Sequence, residues 1–236
     1  MSLLMESGGT GLPERTVCDF TAQLIGALRF LHAPPVSHAH RDVSLENILL
    51  CGPAPWRLRL ADFGLAAPFE EEVAAPIGCG RPAAAQVPGI GSRPGRLVRR
   101  DDGCSVGKGR YVAPEVFAPG VCPWGCDPFA PYDGEAADVW SLGVCVLALL
   151  FGQFLWQAPA PRGNPCFAHL ICAGSLADQL TAWGWDARVS PEALGFVSSL
   201  LRPDPRERPS LETAAAHPWF ERWRRGDSAA VPLTAR

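Results

Sequence analysis

Asp42, Asn47 and Asp62 carry the side chains in this sequence best suited to chemistry. Asp42 and Asn47 bound the run Asp42-Val43-Ser44-Leu45-Glu46-Asn47, and Asp62 follows just before Phe63-Gly64. An amide oxygen and a carboxylate held side by side suit a hard divalent cation that also binds phosphate oxygens. Asp42, kept clear of that cation, is then free to accept a proton from a hydroxyl. Together they could move a phosphoryl group.

Short apolar runs must position them. Residues 48–51 and 57–61 read as two strands, and a hairpin of the two would bring Asn47 beside Asp62. Residues 13–32 read as a helix, with Pro13 and Glu14 suited to its first turn and Val17, Phe20, Leu24, Leu28 and Leu31 on one face. Ala33-Pro34-Pro35 ends it. Residues 139–156 are apolar enough to span a bilayer. Asp138, Ser141 and Gln153 instead favour a buried pillar, expected from 138 to about 152. A further helix is expected near 166–185, and Ser190-Pro191-Glu192 opens another with an N-cap and Pro in the first turn.

Composition excludes little but points the same way. The 236 residues are 47% hydrophobic, enough for a core, and the net charge of −3 suggests neither a nucleic-acid nor an acidic partner. Nine Cys, an odd number, without a secretory leader suggest free thiols and an intracellular, cytoplasmic setting. Cys122 and Cys126 form a lone C-x3-C, a poor zinc site.

Several runs resemble the protein kinase family. His40-Arg41-Asp42 through Asn47 is similar to its catalytic loop, Asp62-Phe63-Gly64 to its metal loop, and Ala113-Pro114-Glu115 to the end of its activation segment. Asp138-Val139-Trp140-Ser141-Leu142-Gly143, Asp204 to Pro209 and His217-Pro218-Trp219-Phe220 resemble later landmarks in the same order. The resemblance implies a mostly α fold: a kinase C-lobe, a helical bundle around a buried central helix with a small β hairpin at the catalytic loop. It implies ATP and Mg²⁺ as cofactors and a protein Ser/Thr hydroxyl as substrate. Asp42 becomes the catalytic base, and Asn47 and Asp62 the metal ligands. Leu49 becomes the floor under adenine and Glu6 part of the hinge that contacts it. His40 orders the loop, and Arg41 anchors a negative charge on the activation segment, offered by Ser105 once phosphorylated or by Asp102. Asp138 bonds back to catalytic-loop amides, and Arg208 pairs with Glu115. Glu46 stands where tyrosine kinases carry their alternative arginine, which favours Ser/Thr.

Two positions depart from the family. Ser/Thr kinases have Lys two residues after the catalytic Asp, and here that residue is Ser44. They usually have Thr or Ser after the first Gly of the run 107–115, and here that residue is Lys108. The expectation is an exchange, with Lys108 bringing its ammonium to the place vacated at Ser44, because stabilising developing charge does not depend on which segment supplies the cation.

The kinase domain is expected over 1–225, with a loose tail at 226–236. The activation segment, 62–115, carries a long insertion at 67–98, made basic by Arg93, Arg96, Arg99 and Arg100 and expected as a solvated loop. Residues 118–131 are expected as a second exposed loop. No Gly-rich phosphate loop and no V-A-I-K lysine precede His40, so the N-lobe is expected to be absent and ATP binding by this chain to be weak. Two readings follow: a Ser/Thr kinase acting on proteins, or a catalytically inactive kinase-like module that binds a regulatory protein partner. Neither involves nucleic acid or a membrane.

Overall fold

The computed structural model describes residues 9–53, 55–70, 96–98, 106–117, 131–157, 167 and 176–224. Glu6, Asp102, Ser105, Cys122, Cys126 and the tail lie outside these residues, as do Arg93, Arg99 and Arg100.

The described elements include seven α-helices, three short 3-10 helices (Leu45–Asn47, Asp186–Arg188 and Pro205–Glu207) and three two-stranded antiparallel ladders. The α-helices are α1 (Glu14–His32), α2 (Pro114–Phe117), α3 (Gly134–Phe151), α4 (Leu176–Ala182), α5 (Pro191–Leu200), α6 (Leu211–Ala215) and α7 (Pro218–Arg224). The strands are β1 (His38–Ala39), β2 (Ile48–Cys51), β3 (Arg57–Leu60), β4 (Ala67–Pro68), β5 (Leu97–Val98) and β6 (Tyr132–Asp133), paired β1 with β4, β2 with β3 and β5 with β6.

Every residue of α3 is buried. It is long and apolar enough to cross a membrane, yet its whole surface is covered by the protein, so its apolarity serves the core. It begins four residues before the expected Asp138. Asp133 caps it by accepting from Ala136 N, and Gly134 fits because any Cβ there would clash with Val98 and Ala39. At its far end, Gly152 takes a left-handed C-cap with φ 75°. The segment 9–12 lies against that end: Leu12 N donates to Leu149 O at 2.8 Å, and a Cβ on Gly11 would lie 2.0 Å from Leu150 O.

α1 packs on α3, and Val17, Phe20, Leu24, Leu28 and Leu31, the face its apolar spacing marks, are all buried in the core. Glu14 does more than complement a helix dipole. Its carboxylate accepts from Ser190 N (2.8 Å), Ser190 Oγ (2.6 Å) and Trp219 Nε1 (2.9 Å), tying the starts of α1, α5 and α7 together. Ser190 also caps α5 by accepting from Ala193 N, with Pro191 in the first turn as expected. Gln23 on α1 grips the β2–β3 hairpin by accepting from Leu58 N and donating to Trp56 O.

One expectation holds in part and another is corrected. Of the helix expected near 166–185, Phe167 and α4 are helical, and α4 stops at Ala182, before Trp183-Gly184; Gly184 has φ 68°, a left-handed turn. The insertion 67–98 is not a solvated loop at its ends. Residues 67–68 pair with β1, Glu70 bridges Leu97, and 97–98 pair with β6. Arg96, expected to be solvated, ion-pairs with Glu135 at 3.2 Å, donates to His32 O and lies over the Phe69 ring. A buried Glu135 needs a counter-charge, and Arg96 supplies it.

Candidate functional site

The site is built on Asp138. Its Oδ1 accepts from Arg41 N at 2.9 Å, and its Oδ2 from His40 N at 2.7 Å and His32 Nε2 at 2.8 Å. A carboxylate on the buried helix thus holds the backbone where the catalytic stretch begins. Sequence reading missed His32, which closes α1 and offers no signal beyond its place at a helix end. His40 is fully buried. Its Nδ1 accepts from Asp42 N at 3.3 Å, its Nε2 donates to Ala61 O at 3.2 Å, and its ring packs on Phe63 at 5.0 Å. One imidazole therefore links the Asp42 and Asp62 segments.

The hairpin brings those segments together. Ile48 pairs with Leu60, and Ala61 N donates to Asn47 O at 2.9 Å, which sets Asp62 next to Asn47 along the chain path. Asp62 and Arg41 both adopt positive φ, 63° and 67°. Non-glycine residues held this way concentrate at functional sites, and Asp tolerates the conformation better than most. Asp62 is exposed, and among the described residues its Oδ1 accepts a long bond, 3.4 Å, from Gly64 N. Leu49 points outward from β2 and is 50% exposed, with Phe63 and Leu65 also exposed nearby in sequence.

Asp42 and Asn47 interlock. Asn47 Nδ2 donates to Asp42 O at 2.8 Å and to Asp42 Oδ2 at 2.7 Å. Lys108 enters from the opposite segment. Its Nζ donates to Asp42 Oδ2 at 2.8 Å, Ser44 Oγ at 3.0 Å and Asn47 Oδ1 at 3.0 Å, and its backbone N donates to Asp42 Oδ1 at 3.2 Å. Three acceptors match the three protons of an ammonium. Gly107 permits the approach: at φ 94°, a Cβ there would sit 2.7 Å from Arg41 O. Asp42 is 7% exposed, whereas the Lys108 side chain is 38% exposed.

The end of the segment is fixed elsewhere. Arg208 forks onto Glu115 at 2.7 and 2.8 Å and also donates to Arg202 O, Pro203 O and Ala136 O. Ser141 Oγ donates to Tyr111 O, and Trp156 Nε1 to Arg110 O. Burial raises the Tyr111 phenol far above its ordinary range, so it stays neutral. Of the expected residues, Asp42, Ser44, Asn47 and Lys108 meet in one cluster. Asp62 and His40 adjoin it through Ala61, and Asp138, Arg41, Glu115 and Arg208 frame it.

The sequence matches the protein kinase domain over residues 2–220. The chain belongs to the protein kinase family. It is 31% identical over 227 residues to human serine/threonine-protein kinase SBK2, covering 94% of this chain and 53% of that protein. It is 33% identical to CBL-interacting protein kinase 4 of Oryza sativa subsp. japonica (89% and 36%). It is 29% identical to serine/threonine-protein kinase CHK1 of Saccharomyces cerevisiae (85% and 30%). The chain spans about half the length, or less, of these relatives. The fold, helix-rich with small sheets, is consistent with that family.

The family generally uses ATP and Mg²⁺, and the residues present fit them. Asp62 offers an exposed carboxylate with one weak partner, Asn47 offers an amide oxygen, and Leu49 offers an apolar surface to a planar base.

Proposed function

We propose that the protein transfers the γ-phosphoryl group of ATP to a Ser or Thr hydroxyl of a protein substrate. The observation that carries this reading is the Lys108 ammonium within 3.0 Å of Asp42, Ser44 and Asn47. Asp42 accepts the proton of the attacking hydroxyl. Lys108 supplies, from the activation segment, the positive charge that the family takes from the catalytic loop, and the neutral Ser44 hydroxyl makes room for it. Stabilising charge as it develops on the transferring group is the main task in this chemistry, and a fixed ammonium serves it from either segment. Asp62 and Asn47 are the residues to hold Mg²⁺, whose contribution when bound is to neutralise the phosphate oxygens.

Asp138 and His40 keep Asp42 pointed at the site, and the Arg208–Glu115 fork keeps Lys108's segment at a fixed distance from it. No residue before His40 reads as a phosphate-gripping loop or its lysine. This reading therefore needs that grip from residues beyond these 236 or from a partner protein. Glu46, in place of an arginine, supports Ser/Thr over Tyr, as do the names of the relatives.

The test is γ-phosphoryl transfer by the full-length natural protein to protein substrates. Asp42→Ala should abolish it. Lys108→Ala should lower kcat by about 10²–10³, and Ser44→Lys combined with Lys108→Thr should recover most of the loss. Transfer unchanged by Lys108→Ala would remove the exchange from the mechanism.

A further inference from the structure

The Asn47 amide oxygen is claimed twice. The reading above assigns it to a metal ion, while the structure gives it to Lys108 Nζ at 3.0 Å. We propose that the Lys108 ammonium occupies the place of a divalent cation on Asn47, so that metal reaches this oxygen only when Lys108 withdraws. The inference rests on reading Asn47 and Asp62 as metal-facing residues, and it adds a competitor that belongs to the chain itself.

Three features carry it. The first is distance. A Mg²⁺ ion sits at about 2.0–2.1 Å from an oxygen ligand, so an ammonium and a metal sharing this oxygen could be no more than about 5 Å apart. Like charges that close oppose each other strongly at the edge of a protein.

The second is that the carboxylate in contact with both groups is already engaged. That carboxylate is Asp42, and its Oδ2 already accepts from Lys108 Nζ and from Asn47 Nδ2. Its charge is used to hold the lysine. The third is how Asn47 is fixed. Its Nδ2 is bound to Asp42 O and Oδ2, so the amide cannot turn its oxygen elsewhere without breaking both bonds. Lys108 is the movable member, with a flexible stem and a side chain 38% exposed.

The chemistry that follows is competition at one oxygen. With the ammonium in place, a divalent cation has Asp62 alone as a free protein ligand among these residues. A phosphate group entering the site would attract the ammonium toward itself and release Asn47, so metal and phosphate should enter together.

The test uses Mn²⁺ and this 236-residue chain without nucleotide, reading free Mn²⁺ by electron paramagnetic resonance. The unsubstituted chain should bind Mn²⁺ at least tenfold more weakly than Lys108→Met. Lys108→Arg, which keeps the charge, should stay weak. Adding Asn47→Ala to Lys108→Met should erase the gain, with melting curves confirming that each variant is folded. Equal Mn²⁺ affinity in the unsubstituted chain and Lys108→Met would overturn the proposal, as would a gain that survives Asn47→Ala. These readouts do not depend on catalysis. If the full-length protein transfers no phosphate but Lys108→Met gains the site, the kinase activity fails and the competition stands. If transfer occurs and no gain appears, the competition fails alone.

Discussion

Asp138 and Asp42 are both buried aspartates, yet they are satisfied in opposite ways. Asp138 is bound by two backbone amides and an imidazole, all fixed by the fold. Asp42 is bound by an asparagine and by a lysine that reaches in from another segment and stays partly exposed. The first carboxylate is surrounded by donors that cannot leave, which suits a role in holding the loop. The second shares its charge with a group that can move, which suits a role in which charge must be redistributed. The Glu115–Arg208 fork belongs with Asp138: both members are buried, and Arg208 is locked by further carbonyls. The molecule thus separates a rigid polar frame from a looser reactive cluster.

The frame should break hard. Arg208→Met leaves the Glu115 carboxylate buried without its fork and is expected to cost about 3–5 kcal/mol in chemical denaturation. Changing Glu115 to Leu in the same chain should recover much of that loss, because the uncompensated charge goes with it. A single-variant loss under 1 kcal/mol would show that the fork is not part of the frame.

Asp138→Asn should come next, at about 2–3 kcal/mol. An amide presents two donors where the Asp138 site already offers N–H groups, so at least one buried donor is left unmet. Hydrogen exchange should report this at the His40 and Arg41 amides specifically. Uniform loosening across the chain would argue against a local hold on the loop.

Parts of the frame were legible in advance because they obey local rules. The face of α1 follows from apolar residues at helical spacing, and Ser190-Pro191 announces a capped helix start. The Glu115–Arg208 pair came from family resemblance, and no local rule would have joined residues 93 positions apart. The ladders β1–β4 and β5–β6 were not legible, since two residues carry no alternation to read. Arg96 was misread for a related reason: a basic residue in a Pro/Gly-rich run looks solvated until a buried Glu135 appears beside it. The early start of α3 was hidden by Gly134, Ala136 and Ala137, whose small size suits tight packing but marks no boundary.

In the cluster, resemblance pointed to Ser44 and Lys108 as a pair of departures, and their meeting required tertiary structure. The two hydrogen bonds that Asn47 Nδ2 donates to Asp42 gave no signal at all, because an asparagine five residues along shows neither which atoms it will face nor at what distance.

A smaller effect should appear with pH. Desolvation lowers the His217 pKa from its ordinary 6.5, and in its neutral form Nδ1 accepts from Trp219 N at 3.2 Å. The unfolded chain therefore binds this proton more readily than the folded one. Stability contributed here is present above about 6.5 and is lost as pH falls from there through the lower folded value. His217→Gln can still accept from Trp219 N and cannot titrate, so it should flatten this part of the stability profile. An unchanged slope would assign the acid loss to other groups and leave α7 outside it.

The smallest expected change in stability belongs to the residue with the most chemistry around it. Lys108→Met removes the ammonium from three acceptors but keeps the backbone N–H that Asp42 Oδ1 accepts. Asp42 also keeps both its bonds from Asn47 Nδ2. The lost ion pair has one partner more than a third exposed, and such pairs contribute about 0–1 kcal/mol. Denaturation of Lys108→Met should therefore fall within about 1 kcal/mol of the unsubstituted chain, on the other side of the divide from Arg208→Met. A loss as large as that of Arg208→Met would place Lys108 in the frame. It would also mean that the ammonium is held too firmly to yield to an incoming metal ion or phosphate.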